Sequence, residues 1–302
     1  MNKLINCIAH RSSDGQLLTG GEHTALFDCG MMFCCRETIK NVKDALNAEY
    51  EDNRTLDYIF LTHTHYDHIG ALPFFRKEFP QTRVVTCETG AAVLQKSTPR
   101  NVIRKLSAAA ADIYNAEVDM QYSDDLFYAD IIVKDNEEIS LGGISVKIIF
   151  TPGHTRDSLS FYIPELELLI INETPGILLP AFKKQKDNPE PDEIIYPCYL
   201  TSYRDTIESI NKCAKIPYKS LSMPHRGIAG EKETQGFFNN ALEINKTCRD
   251  FILEMKNKNL NEEEMLDSYF KRYASEALLS YQPKDAFLAN ARAAISCTIK
   301  EF

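Results

Sequence analysis

The 302-residue chain has no tryptophan, no long apolar run and no excess of basic residues. A helix that crosses a bilayer needs about 20 consecutive apolar residues, and no stretch approaches that, so the sequence reads as having no membrane-spanning role. Lysine and arginine number 34 against 43 aspartates and glutamates, a formal charge of −9. Phosphate-rich partners draw on clustered cations, so neither nucleic acid nor an anionic membrane is expected as a partner, and a small-molecule substrate is. The first ten residues carry one lysine and a short strand-like run, not the basic start, apolar middle and small-residue cleavage site of a secretory leader. The nine cysteines, Cys7, Cys29, Cys34, Cys35, Cys87, Cys198, Cys213, Cys248 and Cys297, are odd in number and scattered, unlike a disulfide framework. Cys34 and Cys35 adjoin, but no second pair stands at zinc-ribbon spacing, and they read as buried thiols. A cytoplasmic location is therefore the expectation; oligomeric state leaves no signal. There is no internal repeat or low-complexity segment.

What is present is a chain with 44% hydrophobic residues, enough to bury a full core. Short β-branched and aromatic runs at 24–28, 56–61, 83–87, 144–150, 158–163, 166–172 and 219–223 read as strands. Between the first two, Ile39, Val42 and Leu46 are spaced three and four apart, as on a helix. Strands and helices mixed in this order indicate an α/β layered domain. Residues 90–115 are rich in Ala, Leu and Ile, with an alanine run at 108–111, and predict a helical insertion. Residues 235–256, 261–279 and 283–302 read as three further helices, the last with Phe287, Ala291, Ile295 and Thr298 on one face and Leu288, Ile299 and Phe302 beside it. The expected division is a catalytic domain over 1–231 and a helical cap over 232–302. The longest loop candidate, 176–199, carries Pro180, Pro189, Pro191 and Pro197 with Lys183, Lys184 and Lys186. That lysine cluster reads as a solvated face, with a site for substrate phosphates as its alternative.

The decisive segment is 56–70, LDYIFLTHTHYDHIG, in which a buried-strand pattern ends in four potential metal ligands: His63, His65, Asp67 and His68. Ligands at a strand's C-terminal end emerge into a loop, where they can converge on an ion instead of alternating across a sheet. Imidazole suits zinc and iron, and a carboxylate balances the charge of a second cation. Three of the chain's seven histidines lie within these six positions, a concentration that solvated loop residues would not produce. His10 and His23 have no such context and read as structural or surface groups.

The run H-T-H-Y-D-H at 63–68 resembles the signature of the metallo-β-lactamase superfamily, and the flanking segments agree in order. Asp28-Cys29-Gly30 resembles the family's first motif, whose aspartate supports the metal loop without ligating; T-P-G-H-T at 151–155 resembles the third, and P-H-R at 224–226 the last. The resemblance covers about residues 1–230 and implies a four-layer αββα sandwich. It also implies two divalent metal ions, zinc or iron with manganese possible: one held by His63, His65 and His154, the other by Asp67, His68 and His225. The bridging carboxylate of the family sits in a Gly-Asp pair; this chain has Asn172-Glu173, which keeps the charge and adds a methylene. Glu173 is the expected seventh ligand.

Such a site lowers the pKa of a bridging water toward neutrality. The implied function is a dinuclear metallohydrolase in which the resulting hydroxide attacks an ester or thioester carbonyl and Asp67 orients it and carries the proton. Thr62, Asp28 and nearby backbone carbonyls are expected to fix the histidine tautomers. Arg156 and Arg226 adjoin ligands and are substrate candidates, with buttressing of the loops as their alternative role. Length, insertion and terminal helices are most similar to the quinolone-signal-associated thioesterases, whose terminal helices close over a two-iron site. Phe270, Tyr273, Phe287 and Leu288 are the candidate lining of such a lid, with packing of the helices against one another as their alternative role. Alternatives on the same fold are a flavodiiron-type oxidoreductase, disfavoured because the helical tail reads as too short for the flavin-binding domain it needs and shows no Gly- or Ser/Thr-rich phosphate loop; a persulfide dioxygenase, which uses a single iron; and a non-catalytic regulator.

Overall fold

The computed structural model describes residues 3–10, 13–52, 54–117, 121–180, 193–280 and 282–302. Two six-stranded sheets dominate it. The first runs β1 (Lys3–Asn6), β2 (Gln16–Thr19), β3 (Ala25–Phe27), β4 (Tyr58–Phe60), β5 (Arg83–Cys87), β6 (Ile131–Val133), in that spatial order and parallel from β3 onward. The second contains β7 (Glu138–Ser140), β8 (Ser145–Phe150), β9 (Leu159–Ile163) and β10 (Leu168–Ile170). A two-stranded ribbon of β11 (Ile177–Pro180) and β12 (Glu193–Tyr196) stands apart, and β13 (Ser220–Met223) and β14 (Gly227–Gly230) complete the second sheet, ordered β14-β13-β10-β9-β8-β7.

Side chains alternate across a strand, and here both faces are apolar because both are covered. Phe27, Phe60, Val85, Ile148, Phe161 and Ile170 point between the sheets and form one core. Leu26, Ile59 and Val84 point the other way and pack under α1 (Cys35–Glu49), α3 (Leu72–Glu78) and α5 (Ser97–Ile113). Ile149, Leu169 and Leu221 leave the second sheet on its far side and pack against α6 (Tyr203–Ala214) and α7 (Phe237–Asn257). The result is the four-layer αββα sandwich. Short helices α2 (Tyr66–Ile69) and α4 (Glu88–Leu94) complete the first half.

All seven strands read from the sequence are present. Those that escaped notice are short, like β6, or carry glycine, like β14. The expected loop at 176–199 instead begins and ends as the ribbon β11–β12, whose Ile177 and Ile195 are β-branched; Lys183, Lys184 and Lys186 lie outside the described residues. The alanine-rich insertion is α4 followed by α5. The last 70 or so residues fold as α7, α8 (Glu262–Tyr273), α9 (Glu276–Leu279) and α10 (Lys284–Glu301), with their own apolar core. Helix α8 begins at a capping box, in which Asn261 Oδ1 accepts from the Glu264 N–H at 3.0 Å and Glu264 accepts from the Asn261 N–H at 2.8 Å.

These helices dock on the sandwich. The Glu301 carboxylate accepts the N–H groups of Tyr203 and Arg204, each at 3.1 Å, at the start of α6. Tyr199 pairs with Thr298 at 3.0 Å, Tyr114 at the end of α5 donates to the Ser280 carbonyl at 2.7 Å, and buried Asn245 donates to the Pro175 carbonyl at 3.0 Å. Phe161 sits fully buried between the sheets, with its ring 5.2 Å from Phe27 and 5.5 Å from Phe60. Phe161→Ala is therefore expected to cost about 3–5 kcal/mol, read as a fall in the urea midpoint; a loss below about 1 kcal/mol would mean that the sheets are not packed through this ring.

Candidate metal centre

Four strands, β4, β8, β10 and β13, end beside one another and release polar side chains into one region. Beyond β4 the chain turns through Thr62 and His63 into α2, which carries Tyr66, Asp67 and His68. Beyond β8 comes the T-P-G-H turn. Gly153 adopts φ +141°, and a Cβ there would stand 2.1 Å from Thr206 Oγ1, so the turn that presents His154 requires glycine. Glu173 follows β10 and His225 follows β13. Asp28 and His225 both adopt left-handed backbone, φ 58° and 60°, an uncommon conformation outside glycine that clusters at functional sites.

The structure brings all seven sequence-selected residues together. His63, His65, His154 and Glu173 offer ligand atoms within 4.8 Å of one another, and Asp67, His68, Glu173 and His225 do the same. Glu173 belongs to both groups. Its Oε2 lies 3.0 Å from His154 Nε2, while its Oε1 lies 2.7 Å from His225 Nε2 and 3.2 Å from His68 Nε2. Asp67 Oδ2 stands 3.6 Å from His225 Nε2 and 3.7 Å from His68 Nε2.

Several of the other ring nitrogens are held from behind, whereas buried His225 Nδ1 has no hydrogen-bond partner. His68 Nδ1 lies 2.7 Å from Asp28 Oδ2, and Asp28 also accepts from the Thr62 N–H at 2.8 Å and from the Thr62 hydroxyl at 2.7 Å. His154 Nδ1 lies 2.5 Å from the Cys198 carbonyl oxygen, which accepts its N–H and leaves Nε2 free to ligate. Asp28 and Thr62 thus act as the sequence led us to expect. The Cys198 carbonyl is one of the backbone carbonyls expected in that role, and Asp14, which was not singled out, supports the His225 backbone instead. Asp14 accepts from the His225 backbone N–H at 3.0 Å and lies 3.8 Å from both His225 Nδ1 and His68 Nδ1. In sequence it reads only as an Asp-Gly turn ahead of β2. Asn172, in the position of the family's glycine, is fully buried; it donates to Thr151 Oγ1 and accepts from the Thr174 N–H, both at 2.6 Å, and so fixes the backbone on which the longer Glu173 side chain is carried.

The donor chemistry fits divalent cations. Neighbouring imidazole rings have centroids 4.1 to 5.4 Å apart, and buried His63 Nε2 has no hydrogen-bond partner, a costly omission in a packed interior. Burial, with the neighbouring rings, pushes the His63 imidazole well below its usual range and His65 down to about 3, so both are neutral ligands in waiting. Burial acts the same way on His68, but the Asp28 and Asp67 carboxylates overcome it and hold that ring well above its usual range. Burial would raise Glu173, yet the imidazoles of His154, His225 and His68 draw it well below the usual carboxylate range. Desolvation raises Asp14 to about 6, against the pull of His225 and His68.

A model of the metallo-beta-lactamase superfamily matches residues 16–174, more than half of the chain. The chain belongs to that superfamily. A metallo-beta-lactamase fold-containing protein of Sulfurisphaera tokodaii is 29% identical over 192 residues, 59% of this chain and 66% of that protein. A hydroxyacylglutathione hydrolase of Bartonella tribocorum is 28% identical over 128 residues, 42% of this chain and 38% of that protein. The chain thus spans less than two thirds of the length of either relative. Among solved structures, a metallo-beta-lactamase family protein of Thermus thermophilus superposes with a TM-score of 0.62 at 16% identity, covering 100% of this chain and 93% of that one; it shows the shared fold.

The two groups of the metallo-beta-lactamase site open on a cavity of about 330 Å³, bordered by His65, Asp67, Glu173 and His225 at its floor, within the roughly 300–1,000 Å³ of small-molecule sites. One wall is α5, through Leu106 and Ala109; the other is the terminal helices, through Leu278, Pro283 and Ala286. The terminal helices therefore reach the cavity through other residues, and the four lining candidates take their alternative role. Phe270, Tyr273, Phe287 and Leu288 belong to the helices' own core, because α10 turns Phe287, Ala291 and Ile295 inward and leaves Ala286 toward the site. Arg156 is exposed and Arg226 half-buried, and neither borders the cavity. The His10 ring lies tilted against Tyr114 with centroids 4.1 Å apart, and half-exposed His23 lies 3.4 Å from Asp57. All nine cysteines are free, and Cys34 and Cys35 are buried thiols.

Loss of the Asp28 carboxylate should release the His68 ring. Asp28→Ala is expected to weaken divalent-metal affinity about 10–100-fold, measured by chelator competition, with Asp14→Ala shifted in the same direction. Unaltered affinity in Asp28→Ala would show that the ring needs no such support.

Proposed function

We propose that this chain is a metal-dependent hydrolase that cleaves an ester or thioester of a small molecule. The observation that carries this reading is the sharing of one carboxylate, Glu173, by two imidazole-rich groups on the floor of an apolar cavity. In this reading His63, His65 and His154 hold one divalent ion and Asp67, His68 and His225 a second, with Glu173 facing one oxygen to each; zinc and iron both suit these ligands. When bound, the metal pair supplies an activated water at neutral pH and a Lewis acid for a carbonyl oxygen.

The chain's own residues do the rest. Asp67 borders the cavity, and its carboxylate orients the attacking water, accepts its proton and returns that proton to the departing oxygen or sulfur. The water oxygen bonds to the acyl carbon as the ester C–O or thioester C–S bond breaks, giving a carboxylic acid and an alcohol or thiol. Residues 232–302 act as a cap over the catalytic domain, 1–231, excluding bulk water and shaping the acyl site. The reading is supported by the hydroxyacylglutathione hydrolase among the relatives. A cap of terminal helices over the centre is also the arrangement of the quinolone-signal-associated thioesterases that the sequence resembles.

Metal-replete protein should contain about two ions per chain by elemental analysis. Glu173→Ala should lose at least one of them and hydrolysis of p-nitrophenyl esters and acyl thioesters together, because two close cations lose the anion between them. Glu173→Asp should retain metal less well than wild type, since Asn172 holds the backbone where the longer side chain is required. A wild-type protein that saturates at one ion, or a Glu173→Ala variant with unchanged metal and turnover, would contradict the shared-carboxylate site.

A further inference from the structure

Tyr66 lies between two candidate ligands, His65 and Asp67, at the start of α2. Its carbonyl accepts the Gly70 N–H at 2.9 Å, which fixes the backbone. The side chain is 7% exposed and its ring belongs to the core that includes Ile103 and Ala110 of α5. Yet the residue borders the cavity, and among the described residues its hydroxyl has no hydrogen-bond partner. Other buried tyrosines differ: Tyr199 pairs with Thr298 and Tyr269 with Cys248. The hydroxyls of Tyr122 and Tyr273 are enclosed without partners, unlike that of Tyr66, and neither residue borders this cavity. A phenol that opens on a binding cavity and makes no hydrogen bond to the protein is placed to donate to a ligand atom.

The cavity indicates which atom. Val102, Leu106 and Ala109 are spaced four and three apart and give α5 one apolar stripe, facing Leu278 and Ala286. Its charged rim is one cation, Lys105, and one anion, Asp285, which offers nothing to a polyanionic group. We propose that Tyr66 is a catalytic residue whose hydroxyl donates a hydrogen bond to the carbonyl oxygen of an uncharged aliphatic acyl group lying between α5 and α10.

The reaction part of this inference rests on the hydrolase reading; the binding part does not. As water adds to the acyl carbon, negative charge gathers on the carbonyl oxygen, and the phenol's hydrogen bond strengthens with it while Tyr66 keeps its proton. Such a donor favours the transition state over the bound substrate.

The test compares metal-replete wild type with Tyr66→Phe, which keeps the ring. Hydrolysis of p-nitrophenyl hexanoate and hexanoyl thioesters should lose about 10–100-fold in kcat with KM within about threefold, and calorimetric affinity for hexanoate should fall several-fold, with metal content and thermal midpoint retained. Ala286→Leu should shift preference from hexanoyl toward acetyl esters by narrowing the wall. Equal kcat and equal hexanoate affinity in Tyr66→Phe, or loss of metal from it, overturns the assignment. If wild type turns over no ester or thioester, the hydrolase reading fails alone; hexanoate affinity then decides for Tyr66, and an affinity that is absent or insensitive to the hydroxyl rejects it.

Discussion

The buried carboxylate of Asp28 holds the candidate centre together. It leaves the end of β3 in a left-handed conformation and ties both the backbone and the hydroxyl of Thr62, at the end of β4, to the His68 ring on α2. The same loop is bound from the other sheet, since the Leu159 N–H donates to the Thr62 carbonyl at 2.7 Å. One carboxylate therefore sets where the loop leaves the first sheet and which nitrogen of His68 faces Glu173. Those bonds are short and shielded from water, where an electrostatic contact is stronger than at the surface, and they come from residues that are not themselves candidate ligands.

That arrangement explains which parts were legible in sequence. H-T-H-Y-D-H could be read because one segment carries four of the donors in consecutive order, and a strand pattern of Tyr58, Ile59 and Phe60 announces the loop. Asp28 and Thr62 were legible through the motif they belong to. Asp14 was not, because its partners lie more than fifty and two hundred residues away and only the folding of two sheets against each other brings them near. That a backbone carbonyl would hold a ring was expected, but not that it would be Cys198, because a main-chain group has no residue-type signature.

The terminal helices show the limit of periodicity. Spacing correctly gave their existence and marked Phe287, Ala291 and Ile295 as one buried face, but an apolar face records that something covers it, not what. Here the covering is the other terminal helices, with Tyr196, Tyr199 and Tyr203 from the sandwich side. The cavity is met on α10 by the smaller residues Ala286 and Ala289, which carry little hydrophobic signal, and by Leu278, which also belongs to that core. In a helix that serves two neighbours, the larger side chains fill the core and the small ones leave room for a ligand, so the residues of greatest functional interest are the least conspicuous in a hydrophobicity pattern.

The substitution of Asn172-Glu173 for a Gly-Asp pair is coherent on the same physical terms. A carboxylate lengthened by one methylene needs its backbone set and its carrier held, because each added rotatable bond weakens the definition of where its oxygens stand. Asn172 contributes that restraint through Thr151 and Thr174, and the Thr174 hydroxyl in turn donates to the Thr151 carbonyl at 2.8 Å. Three polar side chains thus close a small buried network behind one glutamate. A glycine at 172 would supply none of those bonds and would leave the Thr174 N–H without its acceptor, so residues 172 and 173 differ from the family pattern as a pair, the change at one position supporting the change at the other.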